Sequence, residues 1–334
     1  MLTPPDRLPE AALAAALRRW WGMAVASADY RPVGWGSHHW AVTDAAGSRW
    51  FVTADELENK RMSEHEPLDT ALRRLRAALA AATDLRASGA GFVVAPVPAG
   101  DGEPMARVSE EFAVAVYPFI EGQSFDWGEF PSPGHRLDVL RLVAAVHTAP
   151  AAASRHALAD DFTVPHLDAL EAAFEPPGDV AGAGPYALRT SRLIRRNAAP
   201  IRDLLARYDG LVSQARSRPD RAVLTHGEIH PGNTMLTAEG WVLIDWDTAG
   251  VAPPERDLWR LDPGDGSIFG AYARATGVTP MPALLDLYRL RWDIADIAVD
   301  AARFRRPHAG TPEDDKAWGF LACLVERLAG QQPS

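Results

Sequence analysis

The chain has 334 residues, 47% of them hydrophobic, and a formal net charge of −10 at pH 7. That length exceeds what one compact core usually needs, so two lobes are expected. The acidic balance argues against a protein built mainly to grip a nucleic-acid backbone and suits a cationic ligand better. A single cysteine, Cys323, rules out a disulfide framework. It lies in the run Phe320, Leu321, Cys323, Leu324, which reads as the apolar side of a closing helix with a buried thiol. The stretch from Pro9 to Trp21 carries Glu10, Arg18 and Arg19 and lacks the apolar core of a secretory leader. No other segment approaches the roughly 20 apolar residues of a membrane span. The expectation is a cytoplasmic protein with neither membrane nor nucleic-acid partners.

After a first helix, runs rich in aromatic and branched residues alternate with turn signals: Tyr30 to Val33, His39 to Thr43, the turn Asp44 to Gly47, and Arg49 to Thr53. They predict an antiparallel meander. Leu72, Leu75, Leu79 and Ala82, at steps of three and four, predict a helix over 68–86. Val93 to Pro96, Met105 to Val108 and Phe112 to Tyr117 read as further strands, giving a small sheet with a helix packed on it. At Pro118 the character changes, and the chain beyond it is mainly helical. The organisation is therefore α+β, with a sheet-rich N-lobe over 1–118 and a mainly helical C-lobe over 119–334. In the second part Leu137, Leu140, Val143, Val146 and His147 outline a helix. Asp160 to Gly184 reads as loops with a short helix, and one long polar helical stretch runs from Arg189 to Arg216. Strands at Ala222 to Thr225 and Trp241 to Trp246 precede closing helices over Leu284 to Ala302 and Ala317 to Leu328.

The loop between those last two strands concentrates reactive residues. Thr225-His226-Gly227-Glu228-Ile229-His230-Pro231-Gly232-Asn233 ends in an amide, and Asp245-Trp246-Asp247 follows at the end of an apolar run. In kinase-type phosphoryl transfer a carboxylate faces the attacking hydroxyl, an Asn five residues later binds magnesium, and a carboxylate after the next strand binds magnesium that bridges the phosphates. Glu228, Asn233 and Asp245 have that order and that step. Asn233, Asp245 and Asp247 are the candidate metal ligands, since a few oxygen donors suit an ion that keeps phosphates and waters in its shell. His226 reads as a partner of the loop backbone rather than a general base, and the role of His230 stays open. A hydrolase using His226, Glu228 and His230 is disfavoured, because steps of two do not form a usual zinc motif.

With these residues in place, the sequence resembles the aminoglycoside phosphotransferase family, which shares a kinase-like fold with choline kinases. The resemblance rests on His226 to Asn233, on Asp245-Trp246-Asp247, on Pro254-Glu255-Arg256-Asp257-Leu258-Trp259 and on the helix ending Val146-His147, and it spans most of the chain. It implies a two-lobed protein-kinase-like fold. It also implies transfer of the γ-phosphoryl of ATP or GTP to a hydroxyl of an antibiotic or metabolite, with Mg2+ on Asn233 and Asp245. Asp257 would brace the catalytic loop, although taken alone it is equally a carboxylate favoured at a helix N-terminus. The turn Gly34-Trp35-Gly36-Ser37 takes the phosphate-loop position, yet lacks a third glycine and is otherwise an ordinary hairpin turn. Val116 to Phe119, with Tyr117 and Phe119, would offer backbone groups to the purine, Pro118 having no N–H.

Two departures stand out. Glu228 replaces the family's aspartate, and a misplacement of about 1 Å can cost roughly 10²-fold in rate. Thr53 occupies the strand position of a phosphate-binding lysine, and the chain contains only Lys60 and Lys316. The helix over 68–86 has no glutamate to pair with such a lysine. Three readings stay open: Lys60 or Arg61 reaches the phosphates from a neighbouring loop, magnesium and backbone hold the nucleotide alone, or the chain is an inert kinase-like nucleotide- or ligand-binding protein. On the acceptor side Asp293, Asp296 and Asp300 fall at i, i+3 and i+7. That face is either solvated or a cation-binding wall to which Asp262 and Asp265 add, with Trp292 or Trp259 stacking on a ring or packing in a core. The expected partner is a small, polar or cationic molecule with a hydroxyl.

Overall fold

The structure, a computed structural model, describes residues 3–34, 36–176 and 182–330. Trp35 of the glycine turn and part of the expected loop at 160–184 lie outside the described residues. By internal contacts the chain falls into two compact units. One comprises Met1–Arg61, Pro67–Asp160 and Arg221–Pro280, the other Met62–Glu66, Asp161–Asp220 and Met281–Ser334.

In the first unit, helix α1 (Glu10–Trp21) buries Leu13 and Leu17. β1 (Val25–Arg31), β2 (His38–Asp44) and β3 (Arg49–Glu56) lead through a 3-10 turn, Leu57–Lys60, to α2 (Leu68–Ala87), β4 (Ala106–Arg107) and β5 (Phe112–Pro118). The five strands form an antiparallel sheet in the order β1-β2-β3-β5-β4. The expected strand over 93–96 is absent: Val93 makes only an isolated bridge to Leu243. Pro96 and Pro98 remove the ladder donors that a strand there would need.

Alternation divides the sheet between two cores. Trp40, Val42, Val52, Ala54, Phe112, Val114 and Val116 pack with α1. Ala113, Ala115 and the partly buried Tyr117 pack with Leu57, Met105 and the Leu72, Leu75 and Leu79 face of α2. Because successive side chains take opposite faces, Thr53 and Asp55 point to the same side as Tyr117.

The unit continues with β6 (Gln123–Ser124) and α3 (Pro133–His147), capped by the Ser132 hydroxyl on the His135 N–H at 3.1 Å. The second unit contributes α4 (Leu167–Ala172), α5 (Ala187–Arg196) and α6 (Ala198–Arg216). The polar helical region expected over 189–216 forms as these two helices, which meet at Asn197, where Pro200 has no N–H to donate to the carbonyl four residues earlier. The chain then returns to the first unit with β7 (Val223–Thr225), β8 (Thr234–Thr237), β9 (Gly240–Leu243), β10 (Gly250–Ala252), α7 (Glu255–Leu261) and α8 (Phe269–Thr276). β7 pairs with β10, and β6, β8 and β9 form a three-stranded sheet. The strand expected to reach Trp246 stops at Leu243, two residues before Asp245 turns left-handed with φ 64.

Two helices complete the second unit, α9 (Pro282–Arg305) and α10 (Pro312–Gly330), and α4, α5, α6 and α10 all pack on α9. Cys323 is exposed, contrary to expectation. α10 buries Leu321, Val325 and Leu328, and two residues of helix turn Cys323 to the opposite side from Leu321. Among the described residues no helix is long and apolar enough to cross a membrane.

On α9, burial pushes the Asp300 carboxyl up to about 7, against the pull of Arg303 and with Asp296 adding to it. In the unfolded chain the same group ionises near pH 4. Its contribution to stability therefore declines as pH rises from about 4 to about 7 and is flat above that. Asp300→Asn is expected to stabilise the fold by on the order of 2–4 kcal/mol at pH 8 and by little at pH 4, read from urea unfolding at the two pH values.

Candidate active site

The loop after β7 takes its shape from one buried carboxylate. Asp257, in the first turn of α7, accepts from the backbone N–H of His226 at 2.9 Å and from that of Gly227 at 2.7 Å. It also accepts from Nε2–H of His147, the last residue of α3, at 3.0 Å, and His147 Nδ1 lies 2.8 Å from the Tyr272 hydroxyl of α8. A carboxylate only accepts, so His147 carries a proton on Nε2. Burial opposes the charge on Asp257, but the His147 hydrogen bond and the loop amide of Gly227 hold its carboxyl below the usual range. Gly227 has φ 96, and a Cβ there would stand 2.6 Å from the Arg256 guanidinium, so the position admits only glycine.

His226 is engaged at both nitrogens. Nε2–H donates to the Ile244 carbonyl at 2.8 Å, and Nδ1 accepts the Glu228 N–H at 3.3 Å. Burial lowers its pKa, which keeps the ring neutral in this backbone-holding position. The Glu228 carbonyl accepts from Asn233 Nδ2 at 2.9 Å. Glu228 Oε1 stands 3.6 Å from Nε2 of His230, outside hydrogen-bond range.

Asn233 ends a 3-10 turn, Pro231–Asn233. Its carbonyl accepts the Ile244 N–H at 3.1 Å, which extends the β8–β9 register of Thr234↔Leu243 by one step. Asn233 and Asp245 thus stand together at the open end of one hairpin. Although Asp245 is exposed, partial desolvation, and then the carboxylates of Asp247 and Glu228, push its carboxyl above the usual range. These crowded oxygen donors fit a hard divalent cation. Among the described residues no group of three or more His, Cys, Asp or Glu would hold an ion alone. Magnesium characteristically completes its shell with phosphates and water.

Thr53 occupies its expected strand position, and the lysine comes from elsewhere. Lys60, at the end of the 3-10 turn, places Nζ 2.8 Å from Asp247 Oδ2, 3.0 Å from Asp55 Oδ1 and 3.4 Å from Ser37 Oγ. Ser37 Oγ donates to Asp55 Oδ1 at 2.6 Å. Burial works against the ammonium, but Asp247 and Asp55 outweigh it and hold Lys60 well above its usual value. The same pair keeps Asp247 below the carboxylate range despite its burial. The acid partner thus comes from Asp55, two residues beyond Thr53 on the same strand face, rather than from α2. Asp55 was not among the residues expected at the site, although its period-two relation to Thr53 is visible in the sequence. Gly34 and Gly36 have φ 68 and 87, and a Cβ on Gly36 would lie 3.8 Å from Lys60 Nζ. Arg61 turns instead to Glu58 at 2.7 Å.

Tyr117 belongs to the same group: burial, then Asp55, Asp245 and Asp247, raise its phenol well above the usual value. The Phe119 N–H, by contrast, donates to the Arg49 carbonyl at 3.3 Å, and the Arg49 guanidinium lies 3.7 Å from the Phe119 ring centroid. The backbone donor expected of Phe119 is therefore engaged at the sheet edge. Asp262 accepts the Gly266 N–H at 3.0 Å and Asp265 the Ser267 N–H at 2.9 Å, so both carboxylates shape their own loop. Trp292, Asp293, Asp296 and Asp300 lie on α9 in the second unit. There Asp293 pairs with Arg327 at 2.9 Å and Asp300 is half-buried, leaving Asp296 as the exposed carboxylate of that face.

Removing the Asp257 brace leaves one buried imidazole and two amides without their acceptor. Asp257→Ala is expected to destabilise the fold by about 3–5 kcal/mol and to abolish hydrogen-exchange protection at the amides of His226 and Gly227. In the unmutated chain the brace is complete at neutral pH, and those two amides are expected to lose protection as acidification passes the depressed pKa of Asp257.

Comparison with known proteins agrees with this architecture. The model of the phosphotransferase enzyme family matches residues 29–288. Protein StrN of Streptomyces griseus is 35% identical over 256 residues, covering 74% of this chain and 75% of that protein. Spectinomycin phosphotransferase APH(9)-Ia, solved in complex with ADP and spectinomycin, matches with a TM-score of 0.67 at 16% identity, over 96% of this chain and 97% of that one. Choline kinase LicA from Streptococcus pneumoniae matches with a TM-score of 0.53 at 12% identity, over 95% and 99%. At such identities the structural likeness is one of fold, and it is the expected kinase-like α+β fold.

Proposed function

Because the chain belongs to the phosphotransferase enzyme family, and is thus a phosphotransferase acting on hydroxyl groups, we propose that it moves the γ-phosphoryl of ATP or GTP to a hydroxyl of a small antibiotic or metabolite, with magnesium. The observation that carries this reading is the half-buried Lys60 ammonium, 3.0 Å from Asp55 and 2.8 Å from Asp247, two residues past Asp245. Asn233, Asp245 and Asp247 would hold the metal, and a bound magnesium would neutralise charge on the transferred phosphoryl group. Lys60 takes the phosphate-binding part that the sheet position at Thr53 gives up. The Gly34, Gly36 and Ser37 turn adjoins it over the phosphates, and Tyr117 and Phe119 mark the nucleotide side. Glu228 faces the acceptor hydroxyl and takes its proton, while Asp257 and His226 fix the loop that presents it. The chain's similarity to a spectinomycin phosphotransferase supports a hydroxyl-bearing small molecule as acceptor.

The test is γ-phosphoryl transfer from ATP and GTP, with magnesium, to a panel of aminocyclitol, aminoglycoside and macrolide antibiotics and amino alcohols. Asp245→Ala is expected to lower transfer by about 10²–10³-fold, the equivalent of several kcal/mol of charge stabilisation. Lys60→Ala is expected to weaken nucleotide binding in calorimetry and to lower kcat/KM for the nucleotide by roughly 10²-fold. Magnesium-dependent nucleotide binding with neither transfer nor hydrolysis would replace this reading with that of an inert nucleotide-binding protein.

A further inference from the structure

The sequence leaves His230 without a role, and the structure places its ring beside the carboxylate that departs from the family pattern. Its side chain is 8% exposed, against 27% for Glu228, and its Nε2 lies 3.6 Å from Glu228 Oε1. Nδ1 of the same ring is buried and has no hydrogen-bond partner among the described residues. The ring is closely packed: a Cβ on Gly232 would stand 3.0 Å from its Cε1, 3.1 Å from its Nδ1 and 3.4 Å from the backbone N of Trp127. The Trp127 indole meets it edge-on, with 6.2 Å between centroids. The His230 carbonyl accepts the Asn233 N–H at 3.0 Å, so its backbone is held as well.

A neutral imidazole carries one N–H. A proton on Nδ1 would be a buried donor with nothing to accept it, at the full cost of its desolvation, and would turn the Nε2 lone pair toward a carboxylate. A proton on Nε2 avoids both and offers Glu228 a donor. The imidazole is buried and packed while the carboxylate is more open, so Glu228 is the partner that moves, and closing by roughly 0.7 Å brings the pair into N–H···O range. Bonds of this kind are often long in ligand-free sites and tighten when the reactants bind. Side-chain length decides whether the gap can close: an aspartate at 228 would end short by one C–C bond, about 1.5 Å. On the phosphotransferase reading, on which this inference rests, we propose that His230 is the positioning residue of Glu228, its Nε2–H donating to Oε1 and so turning Oε2 to the acceptor hydroxyl. The hydroxyl proton passes to Oε2 as the acceptor oxygen bonds to the γ-phosphorus and the nucleoside diphosphate leaves, and His230 keeps its own proton throughout. The glutamate at 228 and the histidine two residues on thus work as one unit.

The test is a double-mutant cycle on the full chain, with His230→Phe and His230→Gln each made beside Glu228 and beside Glu228→Asp. Transfer from magnesium-ATP is followed to any acceptor of the panel that is phosphorylated, and to water where none is. With Glu228 in place, His230→Phe is expected to lower kcat by about 10-fold to 10²-fold and to leave KM for nucleotide and acceptor within about twofold. His230→Gln, which keeps an N–H donor on a flexible stem, is expected to recover most of that loss. Beside Glu228→Asp, His230→Phe is expected to change kcat by less than about twofold, since the pair is already parted. An equal loss in both backgrounds, a loss carried by KM, or no loss at all would overturn the pairing. A second readout needs no turnover: 15N-histidine spectra of the magnesium-ATP-bound wild type are expected to show His230 as the Nε2–H tautomer. Its Nε2–H signal is expected to move in Glu228→Asp while that of His226, bonded to Ile244, stays. An Nδ1–H tautomer, or a His230 signal indifferent to Glu228→Asp, overturns the proposal even where His230→Phe fails to fold. A wild type that transfers phosphoryl groups without this coupling overturns the role of His230 alone, whereas one that neither transfers nor hydrolyses overturns the phosphotransferase reading and the role with it.

Discussion

Asp257 is a buried carboxylate with donors on every side, and the loop that carries Glu228 and Asn233 has its shape because those donors converge. The amides of His226 and Gly227 have no strand partner at that point, and the side chain of α7 supplies the acceptor instead. His147 brings in the end of α3, and Tyr272 brings in α8. Three helices and a loop are thereby referred to one group, whose desolvation is offset only while all its partners are in place. The rest of the loop builds on this fixed start. His226 turns its ring to Ile244, Asn233 reaches back to the Glu228 carbonyl, and the β8–β9 hairpin brings Asp245 alongside.

A second set of charges is organised by a lysine in an unusual place. A cation on the strand at 53 would project from the face that Asp55 and Tyr117 share. Here that face carries a threonine and an acid, and the cation enters from the 3-10 turn after the strand. The exchange conserves the balance of buried charge: Lys60 answers both Asp55 and Asp247, so neither the ammonium nor the lowered Asp247 is left uncompensated. Ser37 joins through Asp55, which ties the glycine turn to the same cluster. A lysine can enter this cluster from the turn rather than the strand because what matters electrostatically is where the ammonium ends, not which backbone position it starts from.

Glu228 fits the same view. Its backbone is fixed from both sides, by His226 and by Asn233, so the longer side chain differs from an aspartate in where the carboxylate ends rather than in how the loop is built. The neighbouring surface, with Trp127, His230 and Arg260, is held by the registration of β6 on β8 and by the aromatic packing around His135.

The sequence by itself determined the parts of this protein that depend on near neighbours. The meander, α2 and the closing helices were readable because strand and helix periods sort apolar residues within a single element. The spacing from Glu228 to Asn233 and on to Asp245 was readable because one loop and one hairpin set it. Tertiary structure alone decided the rest. Lys60 and Asp247 are 187 positions apart, and no local period records that they meet. The break at Asn197, the halt of β9 before a left-handed Asp245 and the exposure of Cys323 depended on single backbone geometries and on which helix face found a partner. The acids of α9 looked alike in sequence, but folding pairs Asp293 with Arg327, half-buries Asp300 and leaves Asp296 the most exposed of the three. The physical reason is common to all of these: periodicity says which residues share a face, while burial and charge pairing are settled only when distant segments pack against it.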